Sequence, residues 1–184
     1  MLFNLFGKKE SSQGDGLFKE FVWMNSKGKF AALADLYKND PLILFVAWFA
    51  DTAKTFREFL APLNIEESKV VLAKELHNNH QQQHIVFIEH YPLHEKELAL
   101  VESLHLTEAI VYSAMDEPLF KHLGSDKIIP VMKMMGMKET ESIQHPMVTK
   151  SIMKGQEKIA AAVIVEQTAN SQEEWMKKNM KINN

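Results

Sequence analysis

Residues 115–158 read MDEPLFKHLGSDKIIPVMKMMGMKETESIQHPMVTKSIMKGQEK, and the fold turns on them. The apolar run AIVYSAM, residues 109–115, precedes them and suits a buried strand. Asp116 reads as a helix N-cap, with Pro118 in the first turn, where a missing N–H costs nothing. Gly124 ends that short helix and Ser125 caps the next, in which Ile128, Val131, Met132 and Met135 recur at helical spacing. Pro130 lies inside it, and Gly136 stops it. His145 and Pro146 restart the chain as a long helix with Val148, Ile152, Ile159 and Val163 on one side. Before this stretch strands and helices alternate; after it only helix is expected. It therefore joins a sheet domain to a helical arm.

The same residues carry a family resemblance. M-D-E-P-L-F, then S-D-K-I-I, then M-K-M-M-G-M-K, then E-S-I-Q-H-P-M-V-T-K-S-I, then Q-E-K-I follow one another without large gaps. This order is similar to the preprotein translocase ATPase SecA family, at the end of its second motor domain and the start of its scaffold helix. The matching positions are Met115, Asp116, Ser125, Asp126, Gly136, Met137, Lys138, His145, Pro146, Val148, Thr149 and Lys150. Upstream, HIVFIEH at residues 84–90 resembles the family strand that leads to an arginine-rich, phosphate-sensing loop. Here residues 95–108, EKELALVESLHLTE, hold neither glycine nor arginine, so that element is missing.

The chain has 184 residues and a net charge of −3, enough to bury a core and without the basic excess that nucleic-acid binding needs. Arg57 is the only arginine, against twenty lysines within a Lys plus Arg total of 21. Bidentate phosphate recognition favours arginine, so this balance speaks against it. With no cysteine, thiol catalysis, disulfides and cysteine-bound zinc are excluded, and a reducing cytoplasm fits. No apolar run reaches transmembrane length, so stable membrane insertion is not expected. The first residues lack the apolar core and cleavage site of a signal peptide.

Residues 1–9, MLFNLFGKK, read as a start that packs on the domain, with weak contact to an anionic membrane as the sharper alternative. Ser26 is expected to cap a helix with Phe30, Leu33, Ala34 and Tyr37 on one side. LILFVAWF, residues 42–49, suits a central parallel strand buried on both faces. Asp51 then caps a helix whose Phe56, Phe59, Leu60 and Leu63 share a face. Residues 69–83 read equally as strand or helix. A strand over residues 84–91, a helix from His94 to about Leu104 and the strand at Ala109 follow. Ser171 with Glu174 makes a capping box for a last helix holding Trp175.

The expected architecture is α/β: a small, mostly parallel, three-layer sheet of P-loop NTPase type. It resembles a second RecA-like domain and carries a C-terminal helical extension. The expected division is an N-terminal extension at 1–16, the α/β domain at 17–145 and the helical arm at 146–184. Gly-x-x-x-x-Gly-Lys-Ser/Thr is absent, and no catalytic residue, metal site or cofactor is expected. Asp51, Glu89, His90 and Asp116 fall where open α/β sheets bind ligands, at strand C-terminal ends. Capping alone also accounts for Asp51 and Asp116. The histidines His77, His80, His84, His90 and His94 read as solvated loop and strand-end residues. Met132, Met134, Met135 and Met137 read as core filling, with an adaptable binding face as the alternative.

Two functional classes follow. One is a non-catalytic SecA-like interaction module with a protein partner, SecA or the export machinery. The other is an enzyme or small-ligand binder using the strand-end carboxylates and His90.

Overall fold

The computed structural model describes residues 16–77 and 83–180. His80 and the segment 1–9 lie outside them.

Among the described residues six strands form one sheet, β1 Phe18–Trp23, β2 Ile43–Ala47, β3 Val70–Leu72, β4 His84–Phe87, β5 Ala109–Ala114 and β6 Ser142–Ile143, in the order β3-β2-β4-β5-β1-β6. All pairings are parallel except β1 with β6, where Val22 faces Ile143 and Trp23 faces Ser142. Among the described residues seven α-helices accompany them: α1 Ser26–Asn39, α2 Ala50–Leu60, α3 His94–Ser103, α4 Pro118–His122, α5 Ser125–Met134, α6 Pro146–Ala162 and α7 Gln172–Asn179. The α/β class and the mostly parallel sheet are as expected.

The layers follow from strand periodicity. Every residue of β2 is buried. Ile43, Phe45 and Ala47 meet Leu33 of α1 and Phe56 and Leu60 of α2 on one face. Leu44 and Val46 meet Val101 of α3 on the other. A strand covered on both sides needs no polar alternation, which is why its sequence is a continuous apolar run. Residues 70–72 resolve as strand, followed by a 3₁₀ turn at Ala73–Glu75.

β1 is the element that sequence periodicity does not announce. Its inward face is Phe18, Glu20 and Val22, so a buried charge breaks the apolar pattern. It nonetheless pairs with β5 over its whole length, from Phe18 opposite Ala109 to Trp23 opposite Ala114.

Several caps differ from expectation. Asn25, one residue earlier than Ser26, caps α1 by accepting from the Gly28 N–H at 2.8 Å. α2 begins after Phe49, which leaves Asp51 in its first turn. Gly124 in the left-handed region precedes α5, and the Ser125 hydroxyl donates to the Met115 carbonyl at 2.5 Å. Asp116 caps nothing on its own helix, since Glu117 holds that position. Gly136 does stop the α5 segment: it sits at φ +86°, and the Gly136 and Met137 N–H groups bond back to Lys133 and Met132. This is the Schellman arrangement that a left-handed glycine allows.

α6 and α7 pack over the sheet's edge and C-terminal end. Val148 and Ile152 of α6 meet Val22, Met115 and Met132. Ile159, Trp175 and Met176 close over Phe49, Leu93 and Leu119, and Trp175 has no exposed surface. Met132 is buried as expected, but Met134 and Met135 are 88% and 82% exposed.

Gly28 allows the chain before β6 to cross α1. A β-carbon there would stand 2.1 Å from the Glu139 carbonyl oxygen, a backbone atom with little room to yield. The Gly28→Ala variant should lose about 1–3 kcal/mol of stability, with faster amide exchange at Ser142 and Ile143. A higher melting temperature, the sign of helix propensity alone, would show that this crossing does not constrain the fold.

Candidate functional site

In this sheet the chain leaves β2 toward β3 on one side and leaves β4 toward β5 on the other. The crevice outside the C-terminal ends of β2 and β4 is thus the topological switch point, the usual ligand position in open α/β sheets. Glu89, two residues beyond β4, fills it. Its Oε1 accepts the Trp48 and Phe49 N–H groups, both at 2.9 Å, and its Oε2 accepts the Thr52 hydroxyl at 2.7 Å. The Phe49 side chain offers α2 no cap, so a carboxylate from the neighbouring strand does that work. Burial raises the Glu89 carboxyl to about 7, against the lowering pull of the Thr52 and Phe49 hydrogen bonds.

Asp116 plays the same part for α1. Its Oδ2 accepts the Ser26 N–H at 2.9 Å and its Oδ1 accepts the Ser26 hydroxyl at 2.7 Å. Between these two carboxylates lies Lys29, 2% exposed, whose ammonium donates to the Ile88 carbonyl at 2.6 Å and to Glu117 Oε1 at 2.5 Å. Burial raises the Glu117 carboxyl, against the Lys29 charge. Asp51, Glu89, Asp116, Glu117 and Lys29 line one cleft of about 350 Å³.

His90 is not among the residues lining that cleft. It is 1% exposed, with Nδ1 2.9 Å from Glu97 Oε1 and Nε2 2.9 Å from Glu20 Oε2. Burial alone would lower His90, but the two carboxylates outweigh it and hold the imidazolium well above its ordinary range. Burial works to raise Glu97, yet the His90 charge and hydrogen bonds hold its carboxyl at about 2. Glu97 also accepts the Tyr91 N–H at 2.7 Å and the Gln156 amide at 2.8 Å. Gln156 belongs to α6 and Gln172 to α7, and the Gln172 amide donates to the His90 carbonyl at 2.9 Å while its Oε1 accepts the Leu119 N–H. The helices after the joint are thereby bonded to the strand ends.

Of the four sequence candidates, three share the cleft and His90 sits in a separate core network. The solvated reading of the histidines holds for His77 and His84, which are exposed, and fails for buried His90 and half-buried His94. Sequence reasoning passed over Glu20, Lys29, Glu97, Glu117, Gln156 and Gln172. A signal existed: Lys29 precedes Leu33, Glu97 precedes Val101 and Gln156 follows Ile152, each by four residues on a buried helical stripe. A polar residue at a core position of an amphipathic helix needs a buried partner.

A stretch of 48 residues is 48% identical to the protein translocase subunit SecA of Acidithiobacillus ferrooxidans, covering 26% of this chain and 5% of that protein. The corresponding subunit of Prosthecochloris aestuarii is 42% identical over 52 residues, 28% of this chain and 5% of its own length. That of Methylococcus capsulatus is 42% identical over 50 residues, 27% of this chain and 6% of its own length. The chain carries a SecA-related region. The match to these SecA proteins spans about a twentieth of their length, and no protein-family profile matches the chain. Among the described residues no helix is long and apolar enough to cross a membrane.

The buried charges set the pH dependence. Because Glu89 is raised to about 7, the folded protein keeps a proton that the unfolded chain releases above about 4.5, and stability declines across that window. Glu89→Gln keeps an oxygen for the Trp48 and Phe49 N–H groups but does not titrate, and should flatten the decline between pH 4.5 and 7 by on the order of 3 kcal/mol, read from urea melts at each pH. For Glu97, held at about 2, stability is full above the ordinary carboxylate value and lost as pH falls toward 2. Glu97→Gln leaves the His90 charge with one counterion and should cost about 3 kcal/mol at pH 7.

Proposed function

We propose that this chain is a non-catalytic, cytoplasmic protein-interaction module of the protein-export machinery, with SecA or a translocon subunit as its partner. The SecA-related region carries this reading, since the relatives that share it are protein translocase subunits. The site chemistry supports the non-catalytic half. α/β nucleotide-binding folds set phosphates on helix N-termini beside the switch point. In this chain the carboxylates of Glu89 and Asp116 hold the N-termini of α2 and α1. A phosphate arriving there would find the Trp48, Phe49 and Ser26 N–H groups already bonded to carboxyl oxygens. The single arginine, Arg57, donates to the Val70 carbonyl at 2.5 Å, away from these helix ends.

The uncovered apolar side chains of Ile128, Val131 and Met134 on α5, of Met135 at its C-cap and of Met147 on α6 supply a surface for the partner. They lie on the segments that resemble the SecA joint. A photo-crosslinking residue at position 134 or 135 should join the purified chain covalently to purified SecA or translocon, while one at exposed Glu58 on α2 should not. The purified chain should turn over no ATP above the buffer blank. Equal labelling from all three positions, or ATP turnover lost in Glu89→Gln, would contradict the proposal.

A further inference from the structure

The strand-end cleft is more acidic than its own hydrogen bonds require. Asp51, Glu89, Asp116, Glu117 and Glu173 line it, and Lys29 is the only lysine or arginine among its described lining residues. Helices α1, α2 and α7 start beside it, and each N-terminus carries roughly half a positive charge. Glu89 and Asp116 answer α2 and α1, and Glu173 pairs with Lys177 at 2.6 Å. Asp51 and Glu117 remain. Asp51 is exposed in the first turn of α2. Glu117 is 8% exposed; its Oε1 accepts from Lys29 and from the Ala114 N–H at 2.9 Å. Its Oε2 is buried and has no hydrogen-bond partner among the described residues. A desolvated acceptor without a donor is destabilising, and a donor supplied from outside relieves it.

The arrangement selects the kind of donor. Among the described residues no three carboxylate or imidazole groups converge as a metal ion requires. The carboxylates are instead spread around a cleft of about 350 Å³, which suits a cation that carries several donors on a side chain. We infer that the cleft seats the guanidinium or ammonium of an arginine or lysine presented by a protein partner, with Glu117 Oε2 and Asp51 as its acceptors. This rests on the interaction-module reading and identifies the chemistry the partner must bring.

The test is a titration of the ¹⁵N-labelled full chain with capped Gly-Arg-Gly, Gly-Lys-Gly and Gly-citrulline-Gly peptides, and separately with magnesium chloride. The arginine or lysine peptide should shift the Ser26, Asp51, Thr52 and Ser171 amides saturably, and the neutral citrulline peptide should not. Asp51→Asn, an exposed change that leaves the fold alone, should weaken binding about threefold. Glu117→Gln should weaken it about tenfold or more. The inference is overturned if neither basic peptide moves these amides, if citrulline moves them equally, if Asp51→Asn binds as wild type, or if magnesium alone saturates the site. Crosslinking from position 134 reads the interaction module separately, so a silent cleft beside an intact crosslink removes only the cleft assignment.

Discussion

A charged imidazole held between two carboxylates in the interior is the constraint on which the rest depends. His90 comes from beyond β4, Glu20 from β1 and Glu97 from α3. Ions removed from water are costly, and removing one partner of such a set is costlier still. The three elements are therefore tied to one geometry. Gln156 extends the tie to α6, and Gln172 brings α7 to the His90 carbonyl. Trp175 then closes the end of the sheet with no surface exposed. The helices that follow the joint are thus part of the electrostatic interior.

The same logic shapes the crevice. Helix N-termini at the C-terminal end of a parallel sheet are unsatisfied donors awaiting an anion. Here the acceptors are built in. Glu89 reaches from the neighbouring strand to α2, and Asp116 reaches from the loop after β5 to α1. Lys29 and Glu117 fill the space between with a buried pair. Both helix ends thereby find acceptors within the chain. The arrangement also leaves an acidic cleft and one unsatisfied oxygen.

Much of this was legible in the residues and some was not. The continuous apolar run of β2, the apolar β5 and the Pro146 start of α6 state their structures directly, because burial on both faces and a fixed φ leave few alternatives. Asp116 and Glu89 were legible as strand-end carboxylates, but which helix each would cap depends on tertiary placement. Asp116 serves a helix ninety residues earlier in the chain. β1 was missed because Glu20 interrupts its inward face, and the reason for that charge, His90, lies seventy residues away. Local pattern carries no information about such a partner. Met134 and Met135 show the converse: helical spacing places them at the end of α5, but only the packing shows that they are left uncovered.

We propose that the chain's own carboxylates occupy the positions a nucleotide phosphate would take. It is tested most directly by titrating the ¹⁵N-labelled full chain with Mg–ATP and following the amides of Ser26, Trp48 and Phe49, the donors that Asp116 and Glu89 hold. These resonances should stay in place at millimolar nucleotide. Saturable movement of all three would contradict it and return the chain to the nucleotide-binding class.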